Sequence, residues 1–259
     1  MTALKAKVLI IDLETAPKQA YVWRFFKENV GAKQVLGHGY IMSFAYKWLG
    51  DKEVSYHETR TEDDGQLCME LAFVLDQADV VVAHNAERFD LPTARARMLV
   101  NGLRPPSPYK VVDTLKVAKK EFLFPSNSLE YLAKVLKCAP KLAHKKFPGF
   151  ELWAECIKGN EAAWQEMKEY NIQDVDTLEE IYLRMRPWAT NHPNIGVFEE
   201  QDRPICPKCG SAHVQLRGFT VTNVGKYQKF QCQGCGGWAR TRFTEYPKDK
   251  RKQLVVNAV

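Results

Sequence analysis

Lys7-Val8-Leu9-Ile10-Ile11-Asp12-Leu13-Glu14-Thr15 decides how the chain is read. The apolar run over residues 7–13 reads as a buried central strand. Two carboxylates close it. Asp12 and Glu14 are two residues apart, so in a strand they face the same side.

Working outward, residues 41–48 and 53–58 read as a second and a third strand, split by Gly50-Asp51 and joined as a hairpin. The intervening stretch 15–38 is too long for a tight turn, and YVWRFFKENV (21–30) within it is predicted to form a short helix. Residues 62–77 are helical by spacing, with Leu67, Leu71, Val74 and Leu75 on one face. DVVVAH (79–84) is another buried strand. A helix follows over 92–103 with Pro92 near its start, then a short strand at Val111-Val112 and helices over 114–122 and 129–138. Residues 162–186 are strongly helical and Pro187 ends them. This order of elements predicts a mixed α/β sheet, whose sites form beyond the C-terminal ends of adjacent strands.

Three places put acids at such ends. Asp12 and Glu14 close the first strand. Asp90 follows the strand 79–84 in Asn85-Ala86-Glu87-Arg88-Phe89-Asp90-Leu91-Pro92, where the competing reading is a helix cap. Tyr170 and Asp174 are four apart on one helix face, which continues through Leu178, Ile181 and Met185. That phase predicts Asp174 inward and Asp176 toward solvent. Inward carboxylates need a partner or a metal. Four of them together would repel, and hard oxygen ligands select Mg²⁺ or Mn²⁺. Two such ions clamp the attacking and leaving oxygens of a phosphodiester. Asp113 reads as the cap of the helix after it, and His84 as a hydrogen-bonded strand-end residue.

These segments resemble the three exonuclease motifs of the DEDD (DnaQ-like) superfamily of 3′–5′ exonucleases. Asp12-Leu-Glu14 is similar to its D-x-E motif, Asn85-x-x-x-Phe89-Asp90 to its second, and Tyr170-x-x-x-Asp174 to its third in the tyrosine (DEDDy) subtype. The surrounding segments resemble stand-alone exonucleases of phages. The resemblance implies a ribonuclease-H-like fold, a mixed five-stranded sheet flanked by helices, with two Mg²⁺ or Mn²⁺ ions. It implies that Asp12 bridges the ions, that Glu14 and Asp174 complete the ion holding the attacking water, and that Asp90 supports the other. Tyr170 would orient the water. Asn85 and Phe89 would shape the pocket, and Thr15 would meet the terminal nucleotide.

Seven cysteines are present, and four fall in two pairs, Cys206-Pro-Lys-Cys209 and Cys232-Gln-Gly-Cys235. Paired C-x₂-C units at this separation read as one structural Zn²⁺ site in a small β zinc ribbon. Cys68, Cys138 and Cys156 read as core residues. Short β-like runs at 215–217, 219–221 and 227–231 lie between the pairs. Lys229, Trp238 and Arg240 stand among interleaved basic and aromatic residues that suit single-stranded nucleic acid, or a partner protein of replication or recombination. The domains are expected at 1–190 (exonuclease), 191–204 (linker), 205–246 (ribbon) and 247–259 (a disordered basic tail).

Net charge is +6, but residues 203–259 carry 11 Lys/Arg against 2 Asp/Glu, so the preceding 202 residues are net −3. Such asymmetry points to an acidic body with a polyanion-seeking tail. No apolar run approaches the roughly 20 residues of a membrane span, and no secretory leader is visible. The expected setting is therefore a cytosol, bacterial or phage-infected, where thiols stay reduced. The expected activity is removal of nucleotides from a 3′ end, DNA foremost. RNA trimming by the same chemistry and a non-catalytic nucleic-acid-binding or partner-recruiting zinc protein are the alternatives.

Overall fold

The computed structural model describes residues 6–138, 146–200, 202–256 and 258. Parts of the spans assigned above to the exonuclease domain, the linker and the tail therefore lie outside the described residues. The chain divides into two compact units, Lys7–Tyr182 in one and Leu183–Val259 with the residues before Lys7 in the other; the helix Glu161–Met185 of the first ends three residues into the second.

In the first unit the elements run β1 (Val8–Thr15), β2 (Gln19–Ala20), β3 (Val35–Gly37), β4 (Ile41–Trp48), β5 (Ser55–Glu58), α1 (Gly65–Asp76), β6 (Val80–Ala83), α2 (Asp90–Val100), β7 (Lys110–Asp113), α3 (Thr114–Glu121), α4 (Leu129–Leu136), α5 (Glu151–Ile157) and α6 (Glu161–Met185). Five strands form one sheet in the order β5-β4-β1-β6-β7. β1 pairs antiparallel with β4 and parallel with β6, so the sheet is mixed, as expected. Val8–Ile11 are fully or nearly fully buried because β1 is central and covered on both faces.

Alternation along β1 sorts the two faces. Leu9, Ile11 and Leu13 join Leu67, Leu71 and Val74 of α1 and Leu91, Ala94 and Met98 of α2 in one core. A second core gathers Met42 of β4, Leu152 and Cys156 of α5, and Ala163, Trp164 and Met167 of α6, with Tyr170 packed against it. Asp12 and Glu14, at the even positions of β1, share their phase with Ile10 and not with the first core.

Two readings of the first unit are corrected. Residues 21–30 form no helix. Tyr21, Trp23, Phe25 and Phe26 are all exposed, so no face of a helix would be buried, and Lys27 sits at φ 56°. The segment is held instead by the Glu28 carboxylate, which accepts the Trp23 and Arg24 N–H groups. Asp176 does not simply face solvent. Lys47 of β4, its side chain largely buried, reaches α6 and pairs with Asp176 at 3.0 Å and Glu179 at 2.7 Å. The sequence does not announce α5, because seven residues are too few to show a 3.6-residue period.

The second unit contains a 3₁₀ turn (Ile195–Phe198), a three-stranded sheet of β8 (Val214–Thr222), β9 (Gly225–Cys232) and β10 (Trp238–Arg240) in the order β10-β9-β8, and α7 (Lys248–Gln253). The runs 215–217 and 219–221 are one strand, interrupted at Gly218, whose φ of +76° breaks the register between Leu216 and Phe219. Within the stretch 191–204 Ile195 is buried and its N–H bonds to the Pro207 carbonyl. The basic residues 248–252, read as a disordered extension, lie in α7, none of whose residues is buried.

Candidate active site

At the end of β1, Asp12, Glu14 and Asp174 place carboxylate oxygens within 4.8 Å of one another. β1 supplies the first two through its two-residue period. α6 supplies the third, buried at 4% exposure, on the face that continues through Leu178, Ile181 and Met185. The helical phase read from the sequence thus puts Asp174 inward.

The side chains around this trio hold it in place. Asn171, fully buried on α6, donates from Nδ2 to Asp12 Oδ2 at 2.7 Å, and its Oδ1 accepts the Ser43 hydroxyl of β4 at 3.2 Å. Trp153 of α5 donates its indole N–H to Glu14 Oε2 at 3.0 Å and lies edge-on to Tyr170, ring centroids 6.1 Å apart. The Tyr170 hydroxyl is hydrogen-bonded to Asp174. Burial first, then the charges of Asp174, Glu14 and Asp12, hold its pKa well above the ordinary tyrosine value. It is therefore a neutral donor at neutral pH. Nothing local in the sequence marks Ser43 or Trp153 as part of this arrangement. Asn171 sits beside Tyr170 in the motif and could have been suspected from that alone.

Asp90 lies outside the group of three. It occupies the first turn of α2, Phe89 takes the cap position, and no side-chain cap bond forms, so the capping alternative is excluded. Its carboxylate accepts the N–H of Leu13, the residue between Asp12 and Glu14. Burial pushes its pKa up to about 7; its own N–H and that of Leu13 pull against this, and Asp113 adds to it. One oxygen, Oδ2, is buried without a hydrogen-bond partner among the described residues. An inward, under-satisfied carboxylate that accepts the N–H between Asp12 and Glu14 fits a hard divalent cation.

The turn that delivers Asp90 is built by Asp113 at the end of β7. Its carboxylate caps α3 through the N–H groups of Leu115 and Lys116, as expected, and also accepts those of Asn85 and Glu87. Asn85 sits at φ 71°, a left-handed position asparagine tolerates, and its carbonyl accepts the Phe89 N–H. Phe89 is 40% exposed and not a core residue. His84 bonds to the Thr114 hydroxyl at 2.9 Å. Thr15 is half-buried at a register shift against β4.

In the second unit Cys206, Cys209, Cys232 and Cys235 form the other potential metal group among the described residues. Cys206 and Cys235 sulfurs are 3.7 Å apart, and those of Cys209 and Cys232 are 3.6 Å apart. A tetrahedral zinc with Zn–S of about 2.3 Å requires sulfurs about 3.8 Å apart. The thiols fit that ion. Both knuckles fold alike: Gly210 N–H bonds to the Cys206 carbonyl and Gly236 N–H to that of Cys232, each at 2.9 Å, with the glycines at φ +71° and +80°. On β9 and β10, Lys229 lies over the Trp238 ring and Arg240 over that of Tyr227, at 5.1 and 3.9 Å. The register pairs Arg240 with Lys229, so these four side chains share one face of the ribbon sheet.

A family model for the RNase H superfamily matches residues 28–186, more than half of the chain, and the chain belongs to that superfamily. Its five-stranded mixed sheet with flanking helices is the RNase H-like fold. The matched stretch holds Asp90 and Asp174 and begins after Asp12 and Glu14. No curated protein matches the sequence. Among solved structures, the family B DNA polymerase from the hyperthermophilic archaeon Pyrobaculum calidifontis aligns at 15% identity and a TM-score of 0.49, over 71% of this chain and 25% of the polymerase chain.

Proposed function

We propose that the chain is a metal-dependent 3′–5′ exonuclease of the tyrosine (DEDDy) subtype, acting on single-stranded DNA ends. The observation that carries this reading is the convergence of Asp12, Glu14 and Asp174 with the Tyr170 hydroxyl on Asp174. Asp12, Glu14, Asp90 and Asp174 would hold two Mg²⁺ or Mn²⁺ ions, which would supply charge stabilisation for in-line displacement at phosphorus. Asn171 and Trp153 keep Asp12 and Glu14 in one rotamer, so the carboxylates need not reorganise during the reaction. Tyr170 retains its proton and orients the attacking water. Thr15, Asn85 and Phe89 meet the terminal nucleotide.

The four cysteines hold one structural Zn²⁺, and the ribbon binds nucleic acid through the face bearing Lys229, Trp238 and Arg240. A protein of replication or recombination is the other candidate for that face. Among the described residues no helix is long and apolar enough to cross a membrane.

The test is the purified full chain with Mg²⁺ or Mn²⁺ on 5′-labelled single-stranded DNA, duplex DNA and RNA. Stepwise shortening from the 3′ end is expected, strongest on single-stranded DNA. Asp12→Ala is expected to lower the rate at least 10³-fold, on the scale of losing about 4 kcal/mol of transition-state stabilisation, while the thermal transition stays. A near-wild-type rate in Asp12→Ala would defeat the two-metal reading, and faster shortening of RNA would move the substrate to RNA.

A further inference from the structure

The excursion between β1 and β4 presents a surface that the catalytic site does not account for. It leaves the sheet at the carboxylate end: Ala16 N–H bonds to the Tyr40 carbonyl, and Thr15 pairs with Ile41. β2 and β3 pair as a short stalk. Beyond the stalk, Tyr21, Trp23, Phe25 and Phe26 are 71%, 90%, 94% and 83% exposed.

The tip is ordered without burying these rings. Glu28 accepts the N–H groups of Trp23 and Arg24 and the Gln34 side-chain amide. Gln34 in turn bonds to the Tyr21 carbonyl and accepts the Gly31 N–H. A polar hub thus shapes the loop, and four large aromatics are left in water. Concentrated exposure of this kind marks an interaction surface.

Charge identifies the occupant. Residues 16–40 carry Lys18, Arg24, Lys27 and Lys33 against Glu28 alone, a net +3. Residues 1–202 as a whole are net −3, so the excursion is basic within a stretch that is acidic overall. The single acid is occupied in the hub. A protein surface would be met as well by rings alone. Rings interleaved with cations suit a strand whose bases stack and whose phosphates pair. From Thr15 to Tyr21 the chain spans six residues, at most about 20 Å, so the stalk keeps the tip within reach of a strand whose end lies at Asp12 and Glu14.

We infer that the 21–30 tip is a base-stacking site for the single-stranded segment just upstream of the scissile end, with Trp23, Phe25 and Phe26 as the platform and Arg24 and Lys27 on the phosphates. This inference rests on the nuclease reading for which end of the strand lies in the site, but stacking itself is measured without cleavage.

The experiment uses the zinc-loaded full chain with no Mg²⁺ or Mn²⁺ added. It measures affinity for a fluorescein-labelled oligodeoxythymidine and for an abasic deoxyribose-phosphate chain of equal length. The triple variant W23A/F25A/F26A is expected to lose at least tenfold in affinity for the oligodeoxythymidine and less than twofold for the abasic chain. The conservative variant F25Y/F26Y is expected to retain binding. Oligodeoxythymidine should quench tryptophan emission, and Trp23→Phe should remove most of the quench. A triple variant that keeps its thermal transition and binds oligodeoxythymidine within twofold of the wild type would overturn the inference and leave a protein as the occupant. Equal losses on both strands would overturn stacking in favour of a general structural role. Metal-dependent shortening by the wild type is scored separately, so failure of the nuclease reading and failure of the platform are distinguishable.

Discussion

Asp174 and Asp176 are two residues apart on α6 and do different work. Asp174 is buried beside Asp12, Glu14 and the Tyr170 hydroxyl, whereas Asp176 is a half-exposed partner of Lys47. Asp174→Asn removes a charge from the carboxylate group and, on the proposed function, is expected to lower the rate of strand shortening at least 10²-fold. Asp176→Asn is expected to leave the rate within twofold. Its effect is on stability, up to about 1 kcal/mol, because Lys47 keeps Glu179 at 2.7 Å. Single-turnover rates and denaturant midpoints of the two variants check both halves. Equal rate losses would mean that the helix face is misassigned.

β4, α1 and α2 are joined by one buried carboxylate. Asp64, at the head of α1, accepts the Ile41 N–H of β4 at 2.9 Å, a forked pair of bonds from Arg97 of α2 at 2.8 and 2.7 Å, and the Asn101 amide at 2.8 Å. Burial alone would raise its pKa, but Arg97, Ile41 and Asn101 outweigh that and hold it below the usual aspartate value. A depressed folded-state pKa contributes stability that is present above the unfolded value of about 3.9 and is lost as pH falls through the folded value. Asp64→Asn is expected to destabilise by roughly 2–3 kcal/mol at pH 7, since it leaves a mostly buried guanidinium without its counter-charge. The difference from wild type should shrink below pH 4. Urea midpoints between pH 3 and 8 test this, and a difference that does not change across that range would show that the charge on Asp64 is unimportant.

Charge is distributed over the chain in blocks. The segment 203–259 is net +9 before metal, and four thiolates with one Zn²⁺ would bring it to about +7. Non-specific affinity for a single strand falls with salt at a slope of about −0.7 per phosphate contact. On the proposal that the ribbon anchors nucleic acid, the full-length variant Lys229→Glu/Arg240→Glu is expected to weaken binding of single-stranded DNA and reduce the salt slope by about 1.4. One zinc per chain should persist, because neither residue is a ligand. A variant that binds as the wild type does at every salt concentration would point to a protein partner for this face.

The parts legible in the sequence are those whose signal is local. The apolar run of β1 with Asp12 and Glu14, the four-residue spacing of Tyr170 and Asp174, and the C-x₂-C pairs each declare themselves within a few residues, because strand period, helix period and metal-knuckle geometry are short-range. Asp90 could be suspected but not assigned by spacing, since a helix cap predicts the same residue there; the fold removes the cap reading by putting Phe89 at that position and sets the Leu13 N–H against the carboxylate. The supports of the site were not legible. Ser43 reaches Asn171 across 128 residues, Trp153 reaches Glu14 across 139, and Asn171 reaches Asp12 across 159. The exposed aromatics of 21–30 misled for the complementary reason. Apolar residues announce burial only when something covers them, and whether anything does depends on how the rest of the chain packs.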